Sequence, residues 1–182
     1  MIRLAHGDSE LQIDPAVGHI PLWRVGGRVP LHAAPWRDER EVQDDEGLAP
    51  VNRHLAGDFF CLPFNHDDVE GDPAHGFSAN SVWDVTSQDV AWAEFRLKAQ
   101  PRGATITKRA QIVGPVLLQT HVIDGGQGEV SLAHHPMARM AEGGRLSYSP
   151  KRAALTDPLP QYEGHNLWSL NQLRGDLLLD CV

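Results

Sequence analysis

The chain has 182 residues, 41% hydrophobic and 22% charged, which fits one soluble domain able to bury a core without disulfides or metal. Its formal net charge is -8 and its Lys and Arg residues form no stripe, which argues against nucleic acid or an anionic membrane as partner. Cys61 and Cys181 lack metal-ligand spacing, the opening MIRLAHGDSELQ lacks the apolar centre of a signal peptide, and no apolar run nears the ~20 residues that span a bilayer. A cytoplasmic protein without a disulfide framework is therefore expected.

The apolar residues alternate with the period of a half-buried strand, and helical periodicity is scarce. ELQIDP (10–15) alternates around Leu11 and Ile13. HIPLWRV (19–25) follows, then a Gly26-Gly27 turn, then RVPLH (28–32). SVWDVTS (81–87) sets Val82 and Asp84 on one face and Trp83 and Val85 on the other. VAWAEFRLKA (90–99) is the next strand. ATITKRAQIV (104–113) and PVLLQTHVI (115–123) are separated at Gly114-Pro115, and EVSLAHH (129–135) follows. GRLSYSP (144–150) and RAALT (152–156) come later, and the tail LWSLNQLRGDLLLDCV reads as a final strand or a short helix. Short strands punctuated by 17 Gly and 13 Pro predict an all-β sandwich or barrel.

Residues 35–56 are the least strand-like. Their acids Glu39, Glu41, Asp44, Asp45 and Glu46 read as a solvated loop rather than a metal site. Residues 57–85, GDFFCLPFNHDDVEGDPAHGFSANSVWDV, combine histidines, acids, aromatics and turn formers in a way neither a core strand nor a linker needs. They read as part of a binding cleft. Within them, His66, Asp67 and Asp68 are consecutive and cannot all face one ion from a strand, so a solvated loop is the simpler reading. No metal and no cofactor is expected.

The order of these segments resembles the aldose 1-epimerase (galactose mutarotase-like) family. LQIDPAVGHIPLWRVGGRVPLHAAP is similar to that family's opening, with Gly18-His19 where the family has a Gly-Gly pair. AGDFFCLPF resembles the segment ending in Pro-Phe that enters the sugar cleft. PAHGFSANSVWDV resembles the His-Gly segment and its Trp strand, and SLAHHPMARM resembles the strand carrying a second histidine followed by Pro. The resemblance implies a galactose mutarotase-like antiparallel β-sandwich, present as the N-terminal portion of one domain over 1–182 and incomplete at its C-terminus. An Arg that follows Pro-Phe in much of the family is replaced here by the run Asn65-His66-Asp67. The family's catalytic glutamate, expected further C-terminal, has no counterpart in the chain.

By the same resemblance the ligand is an aldohexose or a derivative, and the reaction is interconversion of its anomers. A base takes the C1 hydroxyl proton while an acid protonates the ring oxygen, and histidine suits such work near neutral pH. The resemblance makes His135 the acid and places His75 at the ring oxygen or a neighbouring hydroxyl. Asn65, Gly76, Phe64, Phe77 and Trp83 then line the sugar, with Gly76 allowing close backbone approach and the aromatics facing C–H groups. A carbohydrate-binding protein of the same fold without turnover is the alternative. His134 falls on the opposite strand face from His135. His6, His19, His32, His54, His121 and His165 match no site pattern, and a single strand histidine is more often a surface or core residue than a catalyst. An incomplete sandwich would expose a sheet edge, so self-association through that edge is expected.

Overall fold

The computed structural model describes residues 1–64, 71–140, 143–146 and 177–179. The chain divides into two compact units, Met1–Arg139 and Met140–Val182. In the second, β10 (Gly144–Leu146) pairs antiparallel with β11 (Leu177–Leu179), so the tail contributes a strand. RAALT lies outside the described residues.

In the first unit three strands form an antiparallel meander: β1 (Ile2–His6), β2 (Ser9–Asp14) and β3 (His19–Arg24). β1 was not anticipated: its single buried residue, Leu4, gives a weak alternation, and pairing with β2 from Ile2↔Ile13 to His6↔Ser9 is what orders it. On β2 the inward row Ser9, Leu11 and Ile13 is buried, as the period-two pattern requires. Beyond β3, the expected Gly26-Gly27 turn closes between Val25 and Arg28, with φ of 54° and 73° at the two glycines. Positive φ at both central positions is what a type I′ hairpin turn requires. RVPLH does not continue as a strand. It makes isolated bridges only, Val25↔Arg28 and Leu31↔Ala138, because Pro30 can donate no ladder hydrogen bond.

Residues 35–53 hold a 3-10 turn (Pro35–Asp38) and two single-turn helices, α1 (Arg40–Gln43) and α2 (Pro50–Arg53). Prolines at the helix starts fit the missing N–H at that position. This region is tied back to the end of β2 by Asp14, which accepts hydrogen bonds from His54 Nδ1 at 2.9 Å and Arg37 at 3.4 Å. Burial works to raise the Asp14 carboxyl, but the His54 bond, the Ala16 amide and the electrostatic pull of His54 and Arg37 outweigh it and hold the group below the usual carboxylate range.

A second antiparallel meander runs β5 (Trp83–Gln88), β6 (Trp92–Leu97), β7 (Ala104–Val113) and β8 (Val116–Gly125) in sequence order. β7 alternates buried and half-buried residues along nearly its whole length, and β8 follows after Gly114-Pro115. Gly114 has a φ of 57°, the positive value a tight hairpin places at its first central residue. The two meanders share one core, built from Leu4, Leu11, Ile13 and Ile20 on one side and Trp83, Phe95, Ile106 and Ile112 on the other. Among the described residues the regular structure is thus mostly antiparallel β-sheet, with few and short helices. Among the described residues no helix is long and apolar enough to cross a membrane.

A third element positions the site. The two-residue strand β4 (Phe60–Cys61) pairs antiparallel with β9 (Ala133–His134), in register Phe60↔His134 and Cys61↔Ala133. Only these two residues of EVSLAHH form a strand. The ribbon is anchored to β3 through Gly57 and Asp58. Ile20 N–H donates to the Asp58 carbonyl at 3.0 Å, and a Cβ on Gly57, whose φ is 62°, would collide with the Ile20 carbonyl.

Candidate functional site

Alternation along β4 sorts the side chains of 58–62 onto two faces. Phe59 and Cys61 join a small core with Val51 and Ala79, whereas Phe60 and Leu62 join the main core. β9 and its continuation do the same with the paired histidines: His134 lies against Phe60 and His135 against Phe59. His134 therefore occupies the opposite face from His135, as the strand period implies.

On the Phe59 face the two sequence-predicted imidazoles converge. The His75 and His135 rings meet edge to face with centroids 5.1 Å apart. Each also touches Phe59, His135 stacked at 4.8 Å and His75 edge-on at 5.6 Å. His135 is placed by its backbone N–H, which donates to the Phe59 carbonyl at 2.9 Å. His75 sits in a turn with a φ of 63°, a left-handed conformation unusual for a residue with a side chain. The next residue, Gly76, makes that turn possible. It is buried with φ 78°, bridges to Leu62, and a Cβ there would collide with the Leu62 and Pro63 carbonyls. Both histidines are half-buried.

Two further residues complete this face. His19 stacks on Phe59 at 4.3 Å and is wholly buried. Burial pushes its pKa down to about 3, against the opposing pull of the His54 and Ala79 carbonyls that its ring nitrogens meet. Cys61 Sγ lies 4.0 Å from His75 Nδ1. Burial, and then the charge of Asp58, pushes the Cys61 thiol up to about 12, so the sulfur stays protonated and is no nucleophile at neutral pH.

The other predicted lining residues disperse. Phe64 is 47% exposed and anchored to Ser131, whose N–H is not the donor: Phe64 N–H donates to the Ser131 carbonyl and Ser131 Oγ to the Phe64 carbonyl. Phe77 is half-buried at the start of a 3-10 turn over Phe77–Ala79. Trp83 is a core residue and not a cleft wall: it is 1% exposed, packs under Gly18, and donates its indole N–H to the Ser78 carbonyl. Gly76 faces the Leu62–Pro63 backbone, so the close approach that demands glycine is internal. Asn65 and the run His66-Asp67-Asp68 lie outside the described residues.

The Phe60 face carries a polar cluster that motif reading does not single out. Asp58, 6% exposed, accepts hydrogen bonds from His134 Nδ1 at 2.9 Å and from Gln119 Nε2. Burial tends to raise its carboxyl, but these bonds and the nearby Lys108 ammonium outweigh it and hold the group below the carboxylate range. Lys108 is wholly buried on the inner row of β7, donates to the Gly18 carbonyl at 2.8 Å, and is pushed down to about 8 by burial. Its cross-strand partner His121 stacks on Phe60 at 4.0 Å, and burial, reinforced by Lys108, lowers it to about 3. The readable signal was Lys108 itself, a charge in an inner row otherwise formed by Ala104, Ile106, Ala110 and Ile112.

Among the described residues no group of three or more His, Cys, Asp or Glu side chains is placed to hold a metal ion. The fold and site together define an all-β protein with imidazole clusters on the two faces of a short β-ribbon. No family model, no curated protein and no solved structure matches the chain.

Proposed function

We propose that the chain is a carbohydrate-binding protein of the aldose 1-epimerase type, with a hexose seated against His75 and His135. The observation that carries the reading is their convergence: two imidazoles from separate segments, 60 positions apart in the numbering, meet at 5.1 Å beside one phenyl ring. The two antiparallel meanders around one core support a galactose mutarotase-like β-sandwich as the finer fold.

In this reading His135, protonated, gives its proton to the ring oxygen as His75 takes the C1 hydroxyl proton. The bond from C1 to the ring oxygen breaks and the C1 carbonyl forms. Rotation about C1–C2 and reclosure on the other face return both protons, so nothing is consumed.

Binding without turnover is the second reading, and one observation favours it. His135 Nδ1 is buried and has no hydrogen-bond partner among the described residues. An imidazole that shuttles protons is ordinarily oriented by a partner on its other nitrogen.

Polarimetry on freshly dissolved α-D-glucose or α-D-galactose separates the two. Turnover speeds the decay of optical rotation, and His135→Ala removes that acceleration while leaving the fold intact. Calorimetric binding without acceleration supports the second reading. Neither binding nor acceleration with either sugar defeats both.

A further inference from the structure

The cluster on the Phe60 face is not used by the His75–His135 pair, because the ribbon separates the two. Asp58 holds His134 by Nδ1, which leaves Nε2 as the nitrogen that faces other partners, and the His134 side chain is 37% exposed. His121 stands edge-on to His134 with ring centroids 5.1 Å apart, and Gln119 completes the cluster through Asp58. The network ties β4, β8 and β9 together, and a structural clamp would be the simplest account. A clamp, however, pairs its atoms with one another. Here Asp58 Oδ1, Gln119 Oε1 and His121 Nε2 are all buried with no hydrogen-bond partner among the described residues. Each such atom costs about 1–3 kcal/mol when left unmatched, so three in one cluster point to an occupant that supplies their hydrogen bonds.

We propose that Asp58, His134, Gln119 and His121 form a second binding site, on the opposite face of the ribbon, that takes a hydroxyl group of a neutral polyhydroxylated ligand. Neutrality follows from the local charges: the Asp58 carboxylate and the Lys108 ammonium offset each other, and His121 is held uncharged. A hydroxyl follows from the mixed demand. The carboxylate and amide oxygens only accept, whereas an imidazole nitrogen accepts or donates with its tautomer, and an O–H group serves both. His134, its side chain 37% exposed, is the member of the cluster that solvent reaches.

The probe is methyl α-D-glucopyranoside, a neutral polyol with no free anomeric hydroxyl, titrated into the full chain while the imidazole nitrogens are followed by long-range 1H–15N NMR. The His121 and His134 signals are expected to shift saturably. They should do so equally in a His75→Ala/His135→Ala variant, which removes the first site. The shifts should disappear in His134→Gln, which alters the partly exposed member, and in Asp58→Asn. Signals that stay fixed up to the solubility limit of the probe overturn the proposal, and the unmatched atoms are then served by internal water. Shifts that vanish in the His75→Ala/His135→Ala variant also overturn it. Failure of the sugar reading at His75 and His135 alone leaves the outcome at His134 unaffected.

Discussion

The rings of Phe59 and His135 lie face to face, 4.8 Å apart and within 9° of parallel. Phe59 is 0% exposed and touches three imidazoles, those of His19, His75 and His135. One apolar ring thus fixes the placement of both candidate catalytic groups. Phe59→Ala should destabilise the chain by about 3–5 kcal/mol in urea unfolding, through lost burial and a cavity. Phe59→Leu keeps most of the volume and should fold, yet it removes the stacking surface. The His75 and His135 imidazole resonances should therefore shift in Phe59→Leu. Unchanged resonances in a folded Leu variant would show that the ring does not position them.

Gly76 and Gly27 provide a matched test of why the His75 turn needs glycine. Both have positive φ, 78° and 73°. A Cβ on Gly27 meets nothing within 4 Å, whereas one on Gly76 runs into the Leu62 and Pro63 carbonyls. Gly27→Ala should cost roughly 1 kcal/mol, the strain of the left-handed region alone. Gly76→Ala should cost roughly 3 kcal/mol, since backbone must also move. The His75 resonance should shift in the second variant and not in the first. Equal costs by chemical denaturation would mean that the Leu62 backbone yields freely.

The strands that could be read from sequence are those whose side chains alternate strongly. On β7 an inward row of Ala104, Ile106, Ala110 and Ile112 is interrupted only by Lys108, so period alone identifies it. β1 escaped because only Leu4 is buried along it, and its order comes from pairing with β2. RVPLH has the pattern of a strand, but it makes only isolated bridges, one across its own turn to Val25 and one to the distant Ala138, which local pattern cannot foresee. The same limit divides the site. His75 and His135 were legible through the segments that surround them. Phe59, His19 and the Asp58–His134 pair were not, because their roles arise from contacts such as His134 to Asp58, 76 positions apart. Trp83 misled for the opposite reason. An aromatic residue near a histidine segment suggests a ligand wall, yet its indole fills the core under Gly18.

Lys108 and Cys61 should give stability an alkaline profile of distinct shape. Lys108 titrates near 8 in the folded chain against 10.5 for an ordinary lysine. Between those values the unfolded chain binds more protons, so stability rises with pH there. Cys61 works in the opposite direction: its thiol is pushed from 9.0 to about 12, so above pH 9 the folded chain retains a proton that the unfolded chain has lost. Stability should climb from pH 8 to pH 9, by on the order of 1 kcal/mol. It should then flatten and decline beyond the ordinary lysine range. Denaturation midpoints across this range measure the profile. Lys108→Met should abolish the rise, and Cys61→Ala should extend it. A flat profile in the unaltered chain would place the Lys108 amine in a better solvated setting than its 1% exposure indicates.

β8 pairs with β7 along one side, and among the described residues nothing pairs with its other side. Its outward row carries Val116, Leu118 and Val122, each 48–54% exposed, interrupted by Thr120. An edge strand with free N–H and C=O groups and an apolar face is a template for pairing with another chain. We expect a second copy of this chain to be that partner, with the two β8 strands pairing edge to edge. Light scattering should then give a mass above the 20.1 kDa of one chain, rising with concentration. Lysines at an edge disfavour such pairing through charge and lost apolar contact, so Leu118→Lys/Val122→Lys should return the mass to that of a single chain without lowering the unfolding midpoint. A concentration-independent mass of one chain for the unaltered protein would rule the β8 contact out.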